Sequence, residues 1–437
     1  MRRVSQAVVS AVALLVLFPQ TGRAQALSEL LSSFFTRENP LILANPDHAA
    51  HFIAVEGTAF TQTVDTLNRN IAYQLSSFPL GSSSGGFTFE LDPTVGTLTR
   101  TTSSFGPLFA ERALTSGKGK LTLGGSYVHS TYDRFEGKDL DDGSIQLTLT
   151  HFPIPGDNHY EGDLIDSDLV LNLKTDTFAL FATYGVSDRL DLGVAVPIQK
   201  VRMDATFLLT VLPVATAGDA VPSHYFQNFE LQGSLHDSGE ASGIGDIVLR
   251  GKLNMTQGDW GGLAAGVDVR LPTGDAENLL GTGSTQVKGF LIASGGKSKF
   301  SPHLNLGYTF TGDSDLLGVL PDEFNYSGGF DAAVHPRVTL TADVVGRALL
   351  DAQRLVDTET VYHFRRASDP VGTQPRSVTR AELTTETGTL NLLFAALGLK
   401  VNPTGRLLLS GSVLLSLSKD NGLQDMVTPV IQLDYNF

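Results

Sequence analysis

The sequence predicts an all-β fold, a transmembrane antiparallel β-barrel of about 12–14 strands with a partly helical N-terminal segment. Three observations lead to this fold class. The chain opens with a segment typical of exported proteins, and no later apolar stretch is long enough for a transmembrane helix. Most of the remaining sequence alternates apolar and polar residues between turns. Because a bilayer accepts only helices and closed barrels, these alternating strands predict a barrel.

Residues 1–26 have the three parts of a secretory signal peptide. Arg2 and Arg3 form the positive region, residues 8–18 form an uncharged apolar core, and Ala24-Gln25-Ala26 is an A-x-A-type cleavage site. The apolar core is too short to cross a bilayer as a helix, which disfavours the alternative of a retained anchor. We therefore expect the mature chain in the bacterial envelope.

The composition excludes several classes of function. The 437 residues include no cysteine, so neither a disulfide framework nor a thiolate metal site can form. Cleavage after Ala26 would remove three arginines and change the formal net charge from −15 to −18. An acidic balance of this size argues against nucleic acid as a partner. No motif predicts a cofactor.

The last strand-like segment has the clearest alternation. One face carries Ile431, Leu433, Tyr435 and Phe437, and the other carries Val430, Gln432, Asp434 and Asn436. Period-two alternation turns the first set toward lipid and most of the second toward a wet lumen. A final Phe preceded by apolar residues at every second position also resembles the signal for the barrel insertion machinery. The alternative, an edge strand of a soluble sandwich, is disfavoured by the signal peptide.

A hairpin near residues 246–271 has one apolar and one charged face on either side of the turn Gln257-Gly258-Asp259. In a soluble sandwich the charged face would point to solvent, whereas in a membrane barrel it points into the lumen. Two later strands repeat this pattern. The residues predicted to face the lumen are Asp246, Arg250, Lys252, Asp268, Arg270, Asp343, Arg347 and Arg406. They either set solute selectivity or pair across strands and hold the wall rigid.

The connections between strands alternate in length. Short turns lie near residues 187, 258, 296, 336 and 403, and longer segments lie near 209–241, 272–284, 312–323, 350–384 and 419–426. Short periplasmic turns and long outer loops have this asymmetry, and it places the C-terminus on the periplasmic side. About twelve strands are recognisable from residue 143 onward, and about 14 if two from residues 86–133 join the barrel.

One segment breaks the alternation. Leu169, Leu171 and Leu173 have odd numbers, whereas Phe178 and Leu180 have even numbers. A bulge near residues 174–177 would shift the phase of the strand, and a turn there would change the strand count.

Residues 27–117 differ from residues 118–437, which hold the predicted barrel. Apolar residues recur there at helical spacing and predict one short and one longer amphipathic helix. They are Leu27, Leu30, Leu31, Phe34 and Phe35, then Phe60, Val64, Leu67, Ile71, Leu75 and Phe78. These helices either plug the lumen or lie in the periplasm or at the membrane interface, since an apolar stripe shows only that some surface covers it.

Three patterns resemble catalytic or metal motifs. Residues 81–85 match G-x-S-x-G, but they form a Gly/Ser linker without the strand and helix that a nucleophile elbow needs. Gly296-Lys297-Ser298 lacks the upstream glycine of a phosphate loop, so it predicts a hairpin turn. His48 and His51 have i, i+3 spacing without a third ligand nearby, so the sequence predicts no metal site.

Several turn-and-strand motifs resemble one family. They are the segments Ser187-Asp188-Arg189-Leu190-Asp191-Leu192-Gly193-Val194-Ala195-Val196-Pro197, Gly243-Ile244-Gly245-Asp246-Ile247-Val248-Leu249-Arg250-Gly251-Lys252 and Leu271-Pro272-Thr273-Gly274-Asp275. The chain from about residue 165 to its C-terminus resembles the phenol-degradation meta-pathway outer-membrane family. The resemblance implies an outer-membrane barrel linked to the uptake of aromatic compounds, and it carries over no binding residues.

Together these features predict a channel in the bacterial outer membrane, not an enzyme, for passive uptake or efflux of small, hydrophobic or aromatic solutes. The expected partners are outer-membrane lipid, lipopolysaccharide, the insertion machinery and the solute. One alternative is an outer-membrane lipase or protease, for which a serine and an acid would have to converge on a histidine. The available histidines are His129, His151, His224 and His303. The other alternative is a structural or adhesive barrel without transport.

Overall fold

The computed structural model describes most of the chain. The described residues are 26–36, 39–54, 58–76, 89–92, 97–100, 103–151, 162–216, 222–258, 260–295, 299–366, 368–370 and 372–437. The predicted signal peptide, except Ala26, lies outside these residues. So do the G-x-S-x-G match at residues 81–85 and the turn at residues 296–298.

The described chain is built mainly from β-strands. The strands are β1 Phe89–Asp92, β2 Thr97–Arg100, β3 Leu121–Tyr132, β4 Arg134–Phe135, β5 Lys138–Asp139, β6 Ile145–Thr150, β7 Leu164–Gly185, β8 Leu190–Leu212, β9 Gln232–Ile244, β10 Val248–Gly258, β11 Gly261–Arg270, β12 Gln286–Gly295, β13 Phe300–Thr311, β14 Asp322–His335, β15 Val338–Phe364, β16 Arg376–Val401, β17 Leu407–Ser416, β18 Leu423–Gln424 and β19 Val427–Asn436. The helix α1 spans Ala59–Ser76, and short 3-10 helices span Leu27–Glu29, Pro46–His48 and Gln227–Phe229.

Twelve of these strands close into an antiparallel barrel. They are β3, β7, β8, β10, β11, β12, β13, β14, β15, β16, β17 and β19. The last strand pairs with the first, from Val430 opposite Val128 to Asn436 opposite Thr122, and this pairing closes the ring. Both β9 and β10 pair with β8. β9 pairs with residues 198–210 and β10 with residues 190–195, and residues 245–247 connect β9 to β10. The predicted barrel fold is confirmed, and its twelve strands are the lower limit of the expected 12–14.

The outer wall of the barrel is apolar. Its outward side chains alternate along every strand and include Leu192, Leu249, Leu253, Val267, Leu291, Leu304, Leu340, Val344, Leu397, Leu409, Ile431 and Leu433, all of them exposed. A continuous apolar surface of this extent is expected where lipid covers it. Inward positions of the same strands are buried and polar, for example Lys252, Asn254, Asp343 and Lys400.

Aromatic residues lie at both edges of the apolar wall. At the end with short turns, the rings of Phe300 and Phe330 are 5.0 Å apart. At the end with long loops, those of Tyr308 and Phe310 are 4.8 Å apart. Phe300 and Tyr308 are separated by roughly 27 Å along β13 at about 3.4 Å per residue, or about 20 Å in height at the usual strand tilt. Aromatic girdles around an apolar band and an even number of antiparallel strands are the features of barrels in the bacterial outer membrane, where this protein therefore lies.

The phase change in β7 has a cause other than a bulge. Residues 164–185 pair one-to-one with residues 191–212 of β8, so the strand contains neither a bulge nor a turn, and the expectation of one at residues 174–177 is wrong. On the membrane side of residues 174–177, Phe178 is exposed to lipid on the outside of the barrel. On the long-loop side of these residues, Leu171 and Leu173 are buried on the inside. The backbone pairing is regular along the whole strand. The phase changes because apolar side chains of β7 face lipid on the outside within the membrane and an apolar core on the inside beyond it.

Several strands continue past the long-loop edge of the apolar wall and extend far beyond the membrane. β15 continues to Phe364 and β16 begins at Arg376, so the long loop expected at residues 350–384 is mostly a two-stranded extension. β7, β8 and β9 form a second extension. The sequence there is rich in alternating polar and β-branched residues, which form strands in water without a lipid-facing side.

The N-terminal segment packs between these extensions. Its apolar residues share one core with the inward faces of β7, β8, β15 and β16. Phe35 contacts Phe207 of β8 at 5.2 Å and Phe60 of α1 at 5.5 Å between ring centroids. The predicted stripe on the longer helix is buried along its described length, although the short predicted helix is a 3-10 helix followed by turns. No helix in the described ranges has the length and hydropathy needed to cross a bilayer.

An arginine on the lipid-facing wall tests the position of the membrane. We expect Val267→Arg on β11 to lower the free energy of unfolding by about 2–4 kcal/mol, because the charge would lie in hydrocarbon. The matched control is Val361→Arg, at an exposed position of β15 above the membrane, where the change should stay within about 0.5 kcal/mol. Urea unfolding of both variants in liposomes measures the difference. Equal effects at the two positions would contradict the assigned membrane level.

Candidate functional site

Residues 103–118 cross the interior of the barrel as an extended segment, which we call the threading segment. Side chains of the wall satisfy its backbone groups. Wall acceptors for its N–H groups include Thr339 Oγ1 for Phe105 at 3.0 Å, Asn305 Oδ1 for Glu111 at 2.6 Å, Ser294 Oγ for Ala113 at 3.0 Å and Asp191 Oδ2 for Ser116 at 2.9 Å. Lys400 Nζ donates to the carbonyl of Pro107 at 2.6 Å. These partners come from five barrel strands, so the segment is held across the lumen.

Glu111 is the main charged contact of the threading segment. Its carboxylate accepts hydrogen bonds from Arg250 Nη1 at 2.6 Å and from Lys252 Nζ at 3.3 Å. Arg250 also forms a bidentate pair with Asp268 across the β10–β11 hairpin, at 2.6 Å for both bonds. Lys252 lies 3.8 Å from Asp191. All these groups are largely buried, so each charge depends on its partner.

A second group of charges surrounds Asp343. Its Oδ2 accepts the N–H groups of Leu108 at 3.2 Å and Phe109 at 3.4 Å, and its Oδ1 lies 2.6 Å from His303 Nε2. Arg112 of the threading segment pairs with Asp331 on the neighbouring strand β14. The interior charges of the wall thus bind the segment as well as each other.

The helix α1 contacts the same lumen nearer to the long loops. Tyr73 donates its hydroxyl to Glu323 at 2.7 Å, and Glu323 in turn pairs with Arg347. Arg270 donates to the carbonyl of Ser76, the last residue of the helix. Tyr73 and Glu323 are both buried, so this contact is a closed polar cluster inside the barrel.

A cavity that is partly open to solvent lies in the lumen between the contacts of the threading segment and those of α1. Phe109 and Glu111 of the threading segment line it, together with inward residues of the wall. Its charged lining consists of Arg250, Arg270, Lys288 and Arg347 against Glu111, Asp268 and Glu323, an excess of one positive charge. The ring of Phe290 also lines it, with Lys288 Nζ 5.4 Å from the ring centroid. A Cβ atom at Gly266 would lie 2.2 Å from this ring, so glycine makes room for it.

Seven of the eight residues predicted to face the lumen lie inside the barrel. Six of them make the contacts just described with the threading segment or line its cavity, and Arg270 also contacts α1. They are Arg250, Lys252, Asp268, Arg270, Asp343 and Arg347. Asp246 is buried at the top of β10, where it accepts the N–H groups of Gly274 at 3.0 Å and Thr282 at 2.9 Å. Arg406 is exposed in the turn before β17, outside this interior set, because the strand begins one residue later.

Sequence reasoning missed several interior residues. Lys288, Glu323, Asp331 and Lys400 follow the same alternation and could have been found by extending the face assignment to β12, β14 and β16. Glu111 gives no periodic signal, because the threading segment is neither helix nor strand.

The structure corrects the expectation for His48 and His51. His151 and His224, distant in sequence, lie beside them, and one ring nitrogen from each of the four histidines lies within 4.8 Å of the others. The cluster is at the outer ends of β6 and β8, away from the cavity. The prediction that no third ligand is nearby is therefore wrong.

The final strand has the predicted two faces. Ile431, Leu433 and Phe437 are exposed on the lipid side, and the rings of Tyr435 and Phe437 are 4.7 Å apart. The inward Asp434 and Asn436 are buried. A role of the outward set as an insertion signal stays a prediction.

Comparison with known proteins adds a family match. The profile of the family described as "Putative MetA-pathway of phenol degradation" matches residues 163–349. No curated protein sequence matches the chain. Among solved structures, an outer membrane channel from Pseudomonas putida F1 is 15% identical with a TM-score of 0.45, over 74% of this chain and 98% of that one.

Two further structures are similar at a lower level. A FadL homologue from Pseudomonas aeruginosa is 10% identical with a TM-score of 0.29, over 74% of this chain and 91% of that one. The toluene transporter TbuX from Ralstonia pickettii is 12% identical with a TM-score of 0.29, over 74% and 90% of the two chains. The family match includes the motifs that start at residues 187, 243 and 271. Over residues 163–349 the chain therefore carries the sequence pattern of the phenol-degradation meta-pathway outer-membrane family, which confirms the resemblance for this part of the chain. From residue 350 to the C-terminus the resemblance stays a prediction.

Proposed function

We propose that this protein is an outer-membrane channel for small solutes with an apolar or aromatic body, and that the threading segment and α1 form its plug. The observation that carries the proposal is the cavity in the lumen between the barrel wall and the threading segment, with a lining from both. Its position inside a membrane barrel puts it on the route between the two faces of the membrane.

The lining of the cavity suits a particular kind of solute. Phe109 and Phe290 offer apolar ring surface, and the excess positive charge includes Lys288 and Arg270. A small aromatic compound with a carboxylate or hydroxyl group would place its ring against the first pair and its polar group against the second. Such a mixed apolar and polar lining is typical of sites that fix the orientation of a small ligand.

The threading segment is the part of the plug that we expect to move. Many of its contacts with the wall are hydrogen bonds and ion pairs, which water or a polar solute can replace, and its apolar contacts are small clusters such as Phe105 with Leu408. α1, by contrast, shares an apolar core with the strand extensions. Exposing that core would cost roughly 25 cal/mol for each Å² of apolar surface, so the helix should stay in place.

The alternative of a hydrolase requires a serine beside one of the histidines. His129 pairs with Asp176 at 2.8 Å, His303 with Asp343 at 2.6 Å and His224 with Asp163 at 2.9 Å. His151 contacts His51 at 2.7 Å. A carboxylate beside a histidine is only one part of a catalytic triad, so these pairs alone do not favour hydrolysis.

A reversible crosslink between plug and wall tests the proposal. The natural chain has no cysteine, so Ala113→Cys with Ser294→Cys would introduce one defined pair. Ala113 N donates to Ser294 Oγ at 3.0 Å, so the two residues are in direct contact. We expect oxidation to stop benzoate uptake into proteoliposomes and reduction to restore it, because the disulfide would hold the threading segment in the lumen.

The control places the same crosslink within the wall. Leu249→Cys with Val269→Cys joins two lipid-facing residues that are directly opposite on β10 and β11, so its oxidation should leave uptake unchanged. Glucose serves as a solute without an aromatic ring or charge and should enter more slowly than benzoate. Absence of benzoate uptake in both redox states, or uptake unaffected by the plug crosslink, would contradict the proposed function.

Loss of one plug charge should loosen the threading segment. Glu111→Gln removes the carboxylate that Arg250 and Lys252 share and leaves them paired only with Asp268 and Asp191, so the cost should stay below the roughly 3–5 kcal/mol of a fully orphaned buried charge. We expect faster hydrogen exchange at the amides of residues 104–116, while the barrel strands stay protected. Glu359→Gln, at an exposed position on the extension of β15, is the control and should change nothing. Exchange that is equally slow in both variants would show that Glu111 does not hold the plug.

A further inference from the structure

Four of the ten histidines of the chain meet at the outer end of the barrel extension. They come from three separate parts of the chain. His48 and His51 belong to the N-terminal segment, His151 follows β6, and His224 lies in the connection between β8 and β9. Residues this far apart in sequence converge where the N-terminal segment packs between the extensions.

The ring nitrogens of these histidines face a common centre. His48 Nδ1 lies 3.3 Å from His51 Nδ1, and His51 Nδ1 lies 2.7 Å from His151 Nε2. The ring of His224 is 5.0 Å from that of His48 and 5.2 Å from that of His151, between centroids. Four nitrogens around a tetrahedral zinc ion would be about 3.3 Å apart at the usual zinc–nitrogen distance. The observed arrangement needs only small ring movements to reach this geometry.

A buried carboxylate orients one of the rings. Asp163 Oδ2 lies 2.9 Å from His224 Nδ1, which leaves His224 Nε2 as the nitrogen that can turn to the centre. Asp163 is held by the N–H of Ala215 at 2.8 Å and by the N–H and hydroxyl of Thr216 at 3.1 and 2.8 Å. A carboxylate behind a histidine fixes the tautomer of the ring and is the usual second partner of a metal-bound histidine.

The surroundings hold the other rings in place. The backbone of Phe52, next to His51, forms a β-bridge with His151. The ring of Phe52 lies 5.0 Å from His224 and 5.7 Å from His151. His51 and His224 are buried, whereas His48 and His151 are half-buried, so an ion has a route from solvent.

We propose that these four histidines form a binding site for a divalent transition-metal ion, with Zn²⁺ the best match, and that the ion fastens the N-terminal segment to the barrel extension. Neutral imidazole is a preferred ligand of zinc, and four protein ligands make a closed, structural site rather than a catalytic one. The nearby Asp163 offsets part of the charge of the ion. The role of this site is to stabilise the N-terminal segment, and it does not depend on the proposed transport.

Metal binding is tested on the full-length protein, purified in detergent without a histidine tag and stripped with EDTA. We expect calorimetry to give one Zn²⁺ per chain. We also expect Co²⁺ to give the intense visible absorption of a tetrahedral site. Absence of stoichiometric binding, or a Co²⁺ spectrum of the weak octahedral type, would overturn the proposal and leave the cluster as hydrogen-bonded histidines.

Variants locate the ion. His51→Ala and His224→Ala should each weaken Co²⁺ binding and change its visible spectrum, because water would replace one imidazole, and Asp163→Asn should weaken zinc binding about 10- to 100-fold. His236→Ala, at an exposed position on β9, is the control and should bind as the natural protein does. Because the two alanine changes remove buried rings, His48→Ala at a half-buried position repeats the test with less effect on folding. An affinity and a Co²⁺ spectrum that are unchanged in both His48→Ala and His51→Ala would place the ion elsewhere and overturn the assignment.

A separate measurement tests whether the ion holds the N-terminal segment on the barrel extension. In the natural protein, removal of the ion should speed hydrogen exchange and proteolysis at residues 39–54, and Zn²⁺ should reverse the change. The same treatment of His51→Ala should have no effect. Equal protection of residues 39–54 with and without Zn²⁺ would overturn this role.

Discussion

Within the hydrocarbon of a bilayer, every backbone N–H and C=O of a strand needs a hydrogen-bonding partner inside the protein. Here the pairing of β19 with β3 meets this requirement, because it leaves no free edge in the twelve-stranded ring. Closure also fixes the two faces of each strand. Once the ring is closed, outward positions meet lipid and inward positions meet the lumen, so side chains such as Leu249 and Arg250 differ in polarity although they are neighbours in sequence.

The same strands follow the opposite rule once they leave the membrane. In β7 and β8 the apolar residues change from the outer to the inner face near the loop-end girdle, without any break in pairing. Above that level water surrounds the outside, and the N-terminal segment supplies an apolar core on the inside. This reversal lets one barrel support both a lipid-covered wall and a water-exposed extension that holds α1.

The sequence predicted the features that repeat at short range. Period-two alternation identified the strands, their faces and most of the interior charges, because each depends only on neighbouring residues. It failed for Arg406, which lies one residue before its strand, and for the phase change of β7, which depends on the membrane level. It could not find the role of Glu111 or the meeting of His48 with His224, since both arise from contacts between distant segments.

The interior charges link the wall to the plug. Arg250 and Asp343 each hold a partner on the barrel and a group of the threading segment, so the wall and the segment stabilise one another. Because the wall and the threading segment hold each other, we expect the channel to be closed at rest, and this is the central claim of the account. Current recording from the full-length protein in planar bilayers tests it most directly. The account predicts brief, rare openings without steady conductance, and a constant ohmic current through the unmodified protein would contradict it.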